Sequence, residues 1–70
     1  MQPLTRAKTG ESYMIKWMIQ SREFLEDVPD LIMEAGKQIA LLGRTDGYIL
    51  VRYEGRKYAL SPEAAFCIKV

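Results

Sequence analysis

The sequence contains no histidine and a single cysteine, and these two shortages exclude several kinds of chemistry. Without histidine, the chain lacks the commonest transition-metal ligand and the usual general base at neutral pH. Its serines therefore have no partner for a Ser-His-Asp relay. The lone Cys67 permits no internal disulfide and fits a reducing cytoplasm. Its position favours a small apolar side chain in a strand over a metal ligand.

The chain also lacks a long apolar run and a strong charge of either sign. No stretch approaches the roughly 20 apolar residues that a membrane-spanning helix needs, and the first residues do not resemble a signal peptide. The net charge of +1 argues against the strongly basic character of many nucleic-acid-binding proteins. The glycines match no phosphate-binding pattern. A length of 70 residues with 49% hydrophobic residues predicts one small folded domain, residues 1–70.

Three consecutive antiparallel strands form the centre of the predicted fold. They are predicted at Gln38–Thr45, Tyr48–Tyr53 and Arg56–Leu60. Asp46-Gly47 and Glu54-Gly55 mark the reversals between them. Asp-Gly favours a type I′ turn with positive φ at both central residues, whereas Glu disfavours positive φ. The second strand is mostly apolar on both faces, which predicts a central position.

Two further strands are predicted to complete a barrel. The first is Glu11–Ile19, a continuous strand with Tyr13, Ile15, Trp17 and Ile19 on its core face. The last is Phe66–Val70, with Phe66, Ile68 and Val70 on one face. Leu4 is expected to pack a short N-terminal segment onto this barrel. Five strands around so small a core imply closure, because closure removes exposed strand edges.

Helical signals appear at two places between the strands. Ser21–Gly36 has a helical apolar period, with Ser21 as a first cap, a break at Pro29 and Gly36 as a left-handed cap. Ser61-Pro62-Glu63 starts a short helical turn before the last strand. The fold class is therefore mainly β: a five-stranded barrel with one helical insertion between strands 1 and 2 and a helical turn before the last strand.

The helical insertion carries more apolar side chains than one short helix needs to cover a barrel end. Part of this excess belongs to the core, and the rest is expected to form a surface for a protein partner or for self-association. The candidate partner-binding residues are Trp17, Met18, Phe24, Leu25, Val28, Ile32 and Met33. Core and surface remain equal alternatives for this group.

Two other clusters have an ordinary explanation and a functional one. Asp30 and Glu34 lie one helical turn apart and could share a weakly held hard cation, but capping and a solvated helix face explain them better. A set of cations and tyrosines could form a nucleic-acid-binding face, although solvated strand ends are the simpler explanation. That set is Arg44, Arg52, Arg56, Lys57 and Lys69 with Tyr48, Tyr53 and Tyr58.

The order of several short motifs resembles the FeoA family, small accessory proteins of bacterial ferrous-iron uptake. The resemblance covers essentially the whole length and includes the related SH3-like C-terminal domains of iron-dependent repressors. Its motifs are Pro3-Leu4, Gly10-Glu11-Ser12-Tyr13 with Ile15, Gly36-Lys37-Gln38-Ile39, Tyr58-Ala59-Leu60, Ala64 and Ile68-Lys69-Val70. The chain departs from the family where Ile32 replaces a glycine, Ala35 a proline, and Asp27-Val28-Pro29 an Arg-Leu helix.

The resemblance implies an SH3-like barrel that is cytoplasmic, non-enzymatic and regulatory. It implies binding to an FeoB-type membrane transporter or its cytoplasmic GTPase domain, with no cofactor and no strong iron site. A homo-oligomer is possible, and the departures leave partner recognition open. The rival functions are a nucleic-acid-binding small barrel and a detached regulatory domain of a metal-responsive repressor that acts in trans.

Overall fold

The computed structural model describes residues 1–19, 22 and 33–70. Four strands form an antiparallel sheet in the order β1–β3–β4–β5, and β2 pairs with β6 in a second, two-stranded ribbon. The strands are β1 (Ser12–Met14), β2 (Trp17–Met18), β3 (Gln38–Arg44), β4 (Ile49–Tyr53), β5 (Arg56–Leu60) and β6 (Ile68–Lys69). A 3-10 turn, Leu4–Arg6, precedes β1, and helix α1, Pro62–Phe66, lies between β5 and β6.

The SH3-like, mainly β architecture predicted from the sequence is confirmed, and so are the three central strands. The predicted helical insertion between the first and second strands lies largely outside the described residues. Gly36, its predicted end, has a φ of +92°, and its N–H donates to the carbonyl of Ile15 at 2.8 Å. The helical turn before the last strand is present as α1.

The predicted first strand is interrupted in the structure, because its two halves pair with different partners. β1 pairs with β3, and β2 pairs with β6. The change occurs at Ile15 and Lys16, whose N–H groups donate to Lys37 at 2.8 Å and to Lys69 at 2.9 Å. Ile15 is fully buried, but beyond the break Trp17 and Ile19 are 48% and 51% exposed. The prediction that Trp17 and Ile19 share the core face with Ile15 is therefore wrong.

The two reversals between the central strands have the opposite backbone geometries from those predicted. Neither Asp46 nor Gly47 has a positive φ, and the hydroxyl of Thr45 accepts from the N–H of Gly47 at 3.2 Å instead. Glu54 and Gly55 have φ values of +51° and +79° and form a two-residue reversal. The positive-φ turn thus lies at Glu54-Gly55, which the sequence ranked second. A register shift between Leu41 and Gly43 adds a bulge to β3.

The core is apolar and fills the space between the sheet, the ribbon, α1 and the N-terminal turn. No side chain classed as polar or charged is buried among the residues that the structure describes. Leu4 is fully buried, which confirms its expected role as a tether. The buried residues are Leu4, Ala7, Ile15, Met33, Ile39, Leu41, Ile49, Val51, Tyr53, Leu60, Ala64, Ala65, Ile68 and Val70.

Hydrogen bonds tie the connecting segments to this core. The hydroxyl of Tyr53 accepts from the N–H of Glu34 at 3.1 Å, which fixes the approach to β3. Arg44 donates from Nη2 to the carbonyl of Ala7 at 2.6 Å and holds the N-terminal segment against the end of β3. These contacts hold the N-terminal segment and the approach to β3 against the sheet.

Candidate protein-binding surface

An apolar surface lies on the outer face of the β2–β6 ribbon and continues onto the end of α1. Trp17 faces Lys69 across the ribbon, and the N–H of Ile19 donates to the carbonyl of Cys67 at 3.0 Å. Because side chains alternate along a strand, Trp17 and Ile19 share the outer face while Met18 turns inward. Phe66, the last residue of α1, is 55% exposed. We call Trp17, Ile19, Phe66 and Lys69 the ribbon surface.

Lys69 organises the centre of the ribbon surface. Its Nζ donates to the carbonyl of Phe66 at 2.6 Å and lies 3.9 Å from the centroid of the Phe66 ring. The ammonium thus satisfies a carbonyl at the end of α1 and makes a cation–π contact with the same residue. Its hydrocarbon stem leaves the ribbon directly beside Trp17. The result is a cation held against Phe66 and placed directly across the ribbon from Trp17.

A shallow groove borders the ribbon surface where α1 meets the N-terminal turn. Its walls are Thr5, Pro62, Glu63 and Phe66. The hydroxyl of Ser61 accepts from the N–H of Ala64 at 3.1 Å and so fixes the start of α1. Ala64 and Ala65 are buried against the core, which leaves Phe66 on the outer side of the helix. The groove and the ribbon surface together offer apolar contact area, with Lys69 near its centre and Glu63 at its margin.

Only part of the predicted partner-binding set contributes to this surface. Trp17 is exposed as proposed, while Met18 is partly buried and packs against the core. Met33 is 4% exposed and belongs to the core, so it does not offer a contact surface. The remaining members, Phe24, Leu25, Val28 and Ile32, lie outside the described residues.

Three residues of the ribbon surface, Ile19, Phe66 and Lys69, were not among the predicted partner-binding residues, and Lys69 was assigned to the cation and tyrosine set. Ile19 was predicted to be buried, and Phe66 was predicted to share a strand face with Ile68 and Val70. Ile68 and Val70 are indeed buried, but Phe66 belongs to α1 and is exposed. The helix-start signature at Ser61-Pro62-Glu63 was the available signal, since the helical turn predicted at about Pro62–Ala65 needs only one more residue to include Phe66.

The predicted cation and tyrosine set is not assembled into one face. Tyr53 is 3% exposed, and Tyr58 packs partly against the core. Arg44 is held by the carbonyl of Ala7, and Lys69 belongs to the ribbon surface. Arg52 and Lys57 remain side by side on the exposed face of β4 and β5. The base-stacking aromatic residues that such a face requires are therefore not beside these cations.

Neither a cluster of metal ligands nor a membrane-spanning helix occurs among the described residues. Residues 1–19, 22 and 33–70 contain no cluster of three or more candidate metal ligands. Of the proposed Asp30/Glu34 pair, Glu34 is exposed and Asp30 lies outside the described residues. Within the same residues, no helix has the length and apolar character required to span a membrane.

Comparison with solved structures links this geometry to a known fold. A crystal structure titled as an iron uptake regulatory protein, FeoA, superposes with a TM-score of 0.74. The match covers 96% of this chain and 89% of the other, with 16% sequence identity. This chain has an FeoA-like fold. No protein-family model and no curated protein sequence matches it. The FeoA resemblance inferred from short motifs is thus confirmed at the level of the fold.

Proposed function

We propose that this FeoA-like chain is a non-enzymatic accessory and regulatory protein of bacterial ferrous-iron uptake. In this proposal it acts in the cytoplasm and binds an FeoB-type membrane transporter, or the transporter's cytoplasmic GTPase domain. The FeoA-like fold supports the proposed assignment to iron uptake. The observation that carries the binding role is the exposure of Trp17 and Phe66 on one side of a molecule whose described residues form an apolar core.

The proposed contact is apolar, with Lys69 at its centre. Tryptophan is among the residues that most often dominate binding energy in protein interfaces. Lys69 already contacts the Phe66 ring, so little side-chain freedom is lost when a partner covers it. Trp17, Phe24, Leu25, Val28 and Ile32 stay in the proposed surface. Ile19, Phe66 and Lys69 join it, and the inward-facing Met18 and the buried Met33 leave it.

Binding of the purified GTPase domain of the transporter, measured by calorimetry, tests this proposal. Trp17→Ala is expected to weaken binding by about thirtyfold, because truncation of an interface tryptophan removes a large buried contact. Tyr48→Ala is the matched control, since Tyr48 is also an exposed aromatic residue but lies at the reversal between β3 and β4. Unchanged affinity in Trp17→Ala, with the fold intact, would remove the ribbon surface from the proposal.

The rival functions have less support. A nucleic-acid-binding barrel lacks a combined cation and tyrosine face, for the reasons given above. A detached regulatory domain that acts on a metal-responsive repressor in trans would use the same ribbon surface. Binding of the repressor, but not of the GTPase domain, would favour that alternative.

A further inference from the structure

β5 is an edge strand of the four-stranded sheet. Among the described residues it pairs only with β4. Tyr53 and Arg56 close the two-residue reversal, so they form a hydrogen-bonded pair, and bonding alternates from there. Lys57 and Ala59 therefore direct their backbone N–H and C=O groups away from β4. Both residues are exposed, which leaves these groups accessible to another strand.

Two like charges face each other across β4 and the edge strand β5. Arg52 and Lys57 are directly opposite in the register and, by the alternation, form a non-hydrogen-bonded pair, in which side chains approach most closely. Val51 and Tyr53 are buried, so Arg52 and Lys57 project from the outer face. Like charges opposite each other destabilise a sheet. In the described part of the chain, neither cation has a carboxylate partner.

The cations near the β5 edge protect it from pairing with a second copy of itself, and they also restrict which other strands can bind there. Charged residues on an edge strand prevent pairing with another copy of the same strand. A second β5 would bring another Arg56 and Lys57 to an edge that is already cationic. A strand with carboxylates would instead relieve the repulsion between Arg52 and Lys57. The edge thus disfavours self-association while it favours an acidic partner.

We propose that the outer edge of β5 binds an extended acidic segment of another protein, which adds a strand to the sheet, places carboxylates directly beside Lys57 and brings them one strand away from Arg52. Backbone hydrogen bonds from Lys57 and Ala59 would supply much of the affinity, and the cations would supply the selectivity. This site lies on a different strand from the ribbon surface. It does not depend on the iron-uptake proposal.

A short capped peptide that alternates glutamate with valine is the first probe, measured by fluorescence anisotropy. We expect binding that weakens as salt is raised, because exposed charges are screened. A version with glutamine for glutamate tests charge, and a version with N-methylated backbone amides keeps charge but removes the backbone donors. Failure of the acidic peptide to bind, or equal binding of the N-methylated version, would overturn strand addition. Binding of a single-stranded oligonucleotide alone would assign the edge to nucleic acid instead.

Charge variants locate the site. Arg52→Gln with Lys57→Gln is expected to weaken peptide binding about tenfold, since the cross-strand charge pair with Lys57 and the longer-range attraction to Arg52 are both lost. Arg6→Gln with Lys8→Gln removes the same charge elsewhere and should leave affinity unchanged. Those residues flank Ala7, which contacts Arg44 at the opposite end of the sheet. Equal losses in the two double variants would show only a general charge effect and contradict the proposal.

Amide hydrogen exchange provides a readout that charge alone would not change. In the free protein, the amides of Lys57 and Ala59 should exchange quickly, whereas that of Tyr58, bonded to β4, should be protected. Adding the acidic peptide should slow exchange at Ala59 or Lys57 by at least tenfold and leave Tyr58 nearly unchanged. Protection of both outward amides in the free protein would show that the edge is already covered and would refute the proposal.

Discussion

Glu54 holds a backbone conformation that most side chains avoid. Its φ of +51° and that of Gly55 at +79° allow β4 and β5 to reverse within two residues. For a residue with a Cβ atom, the left-handed region costs about 1–2 kcal/mol. The ion pair between Glu54 and Lys37 spans 3.8 Å between half-exposed side chains, so it offsets little of this cost.

Replacement of Glu54 by asparagine should stabilise the protein. We expect Glu54→Asn to raise the free energy of unfolding by about 0.5–1 kcal/mol, because asparagine tolerates positive φ. Urea unfolding measures the change as a shift of the midpoint at constant slope. Glu54→Gln removes the charge but keeps the backbone preference, and should differ little from the wild type. Equal stabilities for the two variants would show that Glu54 is not strained.

The sequence predicts where both reversals lie but not which backbone conformation each adopts. Asp46-Gly47 is the better I′ sequence, yet the hydroxyl of Thr45 accepts the N–H groups of Gly47 and Tyr48 at 3.2 and 3.1 Å. That local capping makes positive φ unnecessary there. At Glu54-Gly55 the register of the flanking strands leaves only two residues for the reversal, and tertiary pairing overrides local preference.

At the scale of elements, α1 is short and depends on its cap. It has five residues, and the Oγ of Ser61 accepts from the N–H of Ala64 at 3.1 Å. A helix of this length has few internal hydrogen bonds, so a single cap is a large part of its stability. The orientation of α1 sets the position of Phe66 on the ribbon surface.

Loss of this cap should lower stability and disturb the ribbon surface together. Ser61→Ala is expected to reduce the free energy of unfolding by about 1 kcal/mol. Ser12→Ala, at an exposed position in β1, is the control and should be neutral. Chemical unfolding followed by tryptophan fluorescence reports on both stability and the environment of Trp17. No difference between the two variants would mean that the cap is dispensable.

The elements that the sequence predicts well are those whose local pattern and pairing agree. β3, β4, β5 and α1 lie where their alternation and capping signals place them. The prediction of one continuous first strand is wrong, because the apolar alternation continues through Ile15 although the pairing partner changes there. Alternation reports local periodicity, and only the assembled sheet and ribbon show that Trp17 and Ile19 turn outward.

At the scale of the whole molecule, the two ends of the described chain close the fold together. Gln2 and Val70 exchange backbone hydrogen bonds at 2.8 Å in both directions, and Pro3 forms a bridge with Lys69. Leu4 then enters the core and is fully buried. For 70 residues, the expected free energy of unfolding is only about 4–10 kcal/mol. The N-terminal turn is therefore a substantial part of the stability.

Truncation of Leu4 should show this dependence. Leu4→Ala is expected to reduce the free energy of unfolding by about 3 kcal/mol, because it removes buried methyl groups and leaves a cavity. Met1→Ala is the control, since Met1 is 79% exposed. Thermal and urea unfolding measure both variants. A loss below about 1 kcal/mol for Leu4→Ala would indicate that the N-terminal turn is not integral to the core.

The candidate surface is less predictable than the fold, because it depends on which apolar residues remain after the core is filled. The composition shows an apolar excess, but it does not show that Met33 fills the core while Phe66 stays outside. Trp17 is exposed because the ribbon offers its outer face no covering element among the described residues. Such choices follow from packing in three dimensions and not from periodicity.

The reciprocal contact between Gln2 and Val70 has a practical consequence for anyone labelling this molecule. Both chain ends emerge next to β6, within the neighbourhood of Trp17. A purification handle or fluorescent fusion at either terminus would therefore crowd the apolar side of the protein and compete with whatever docks there. The solvent-exposed Asp46-Gly47 loop, at the end of β3 away from the Glu54-Gly55 hairpin, is a better attachment point for a reporter.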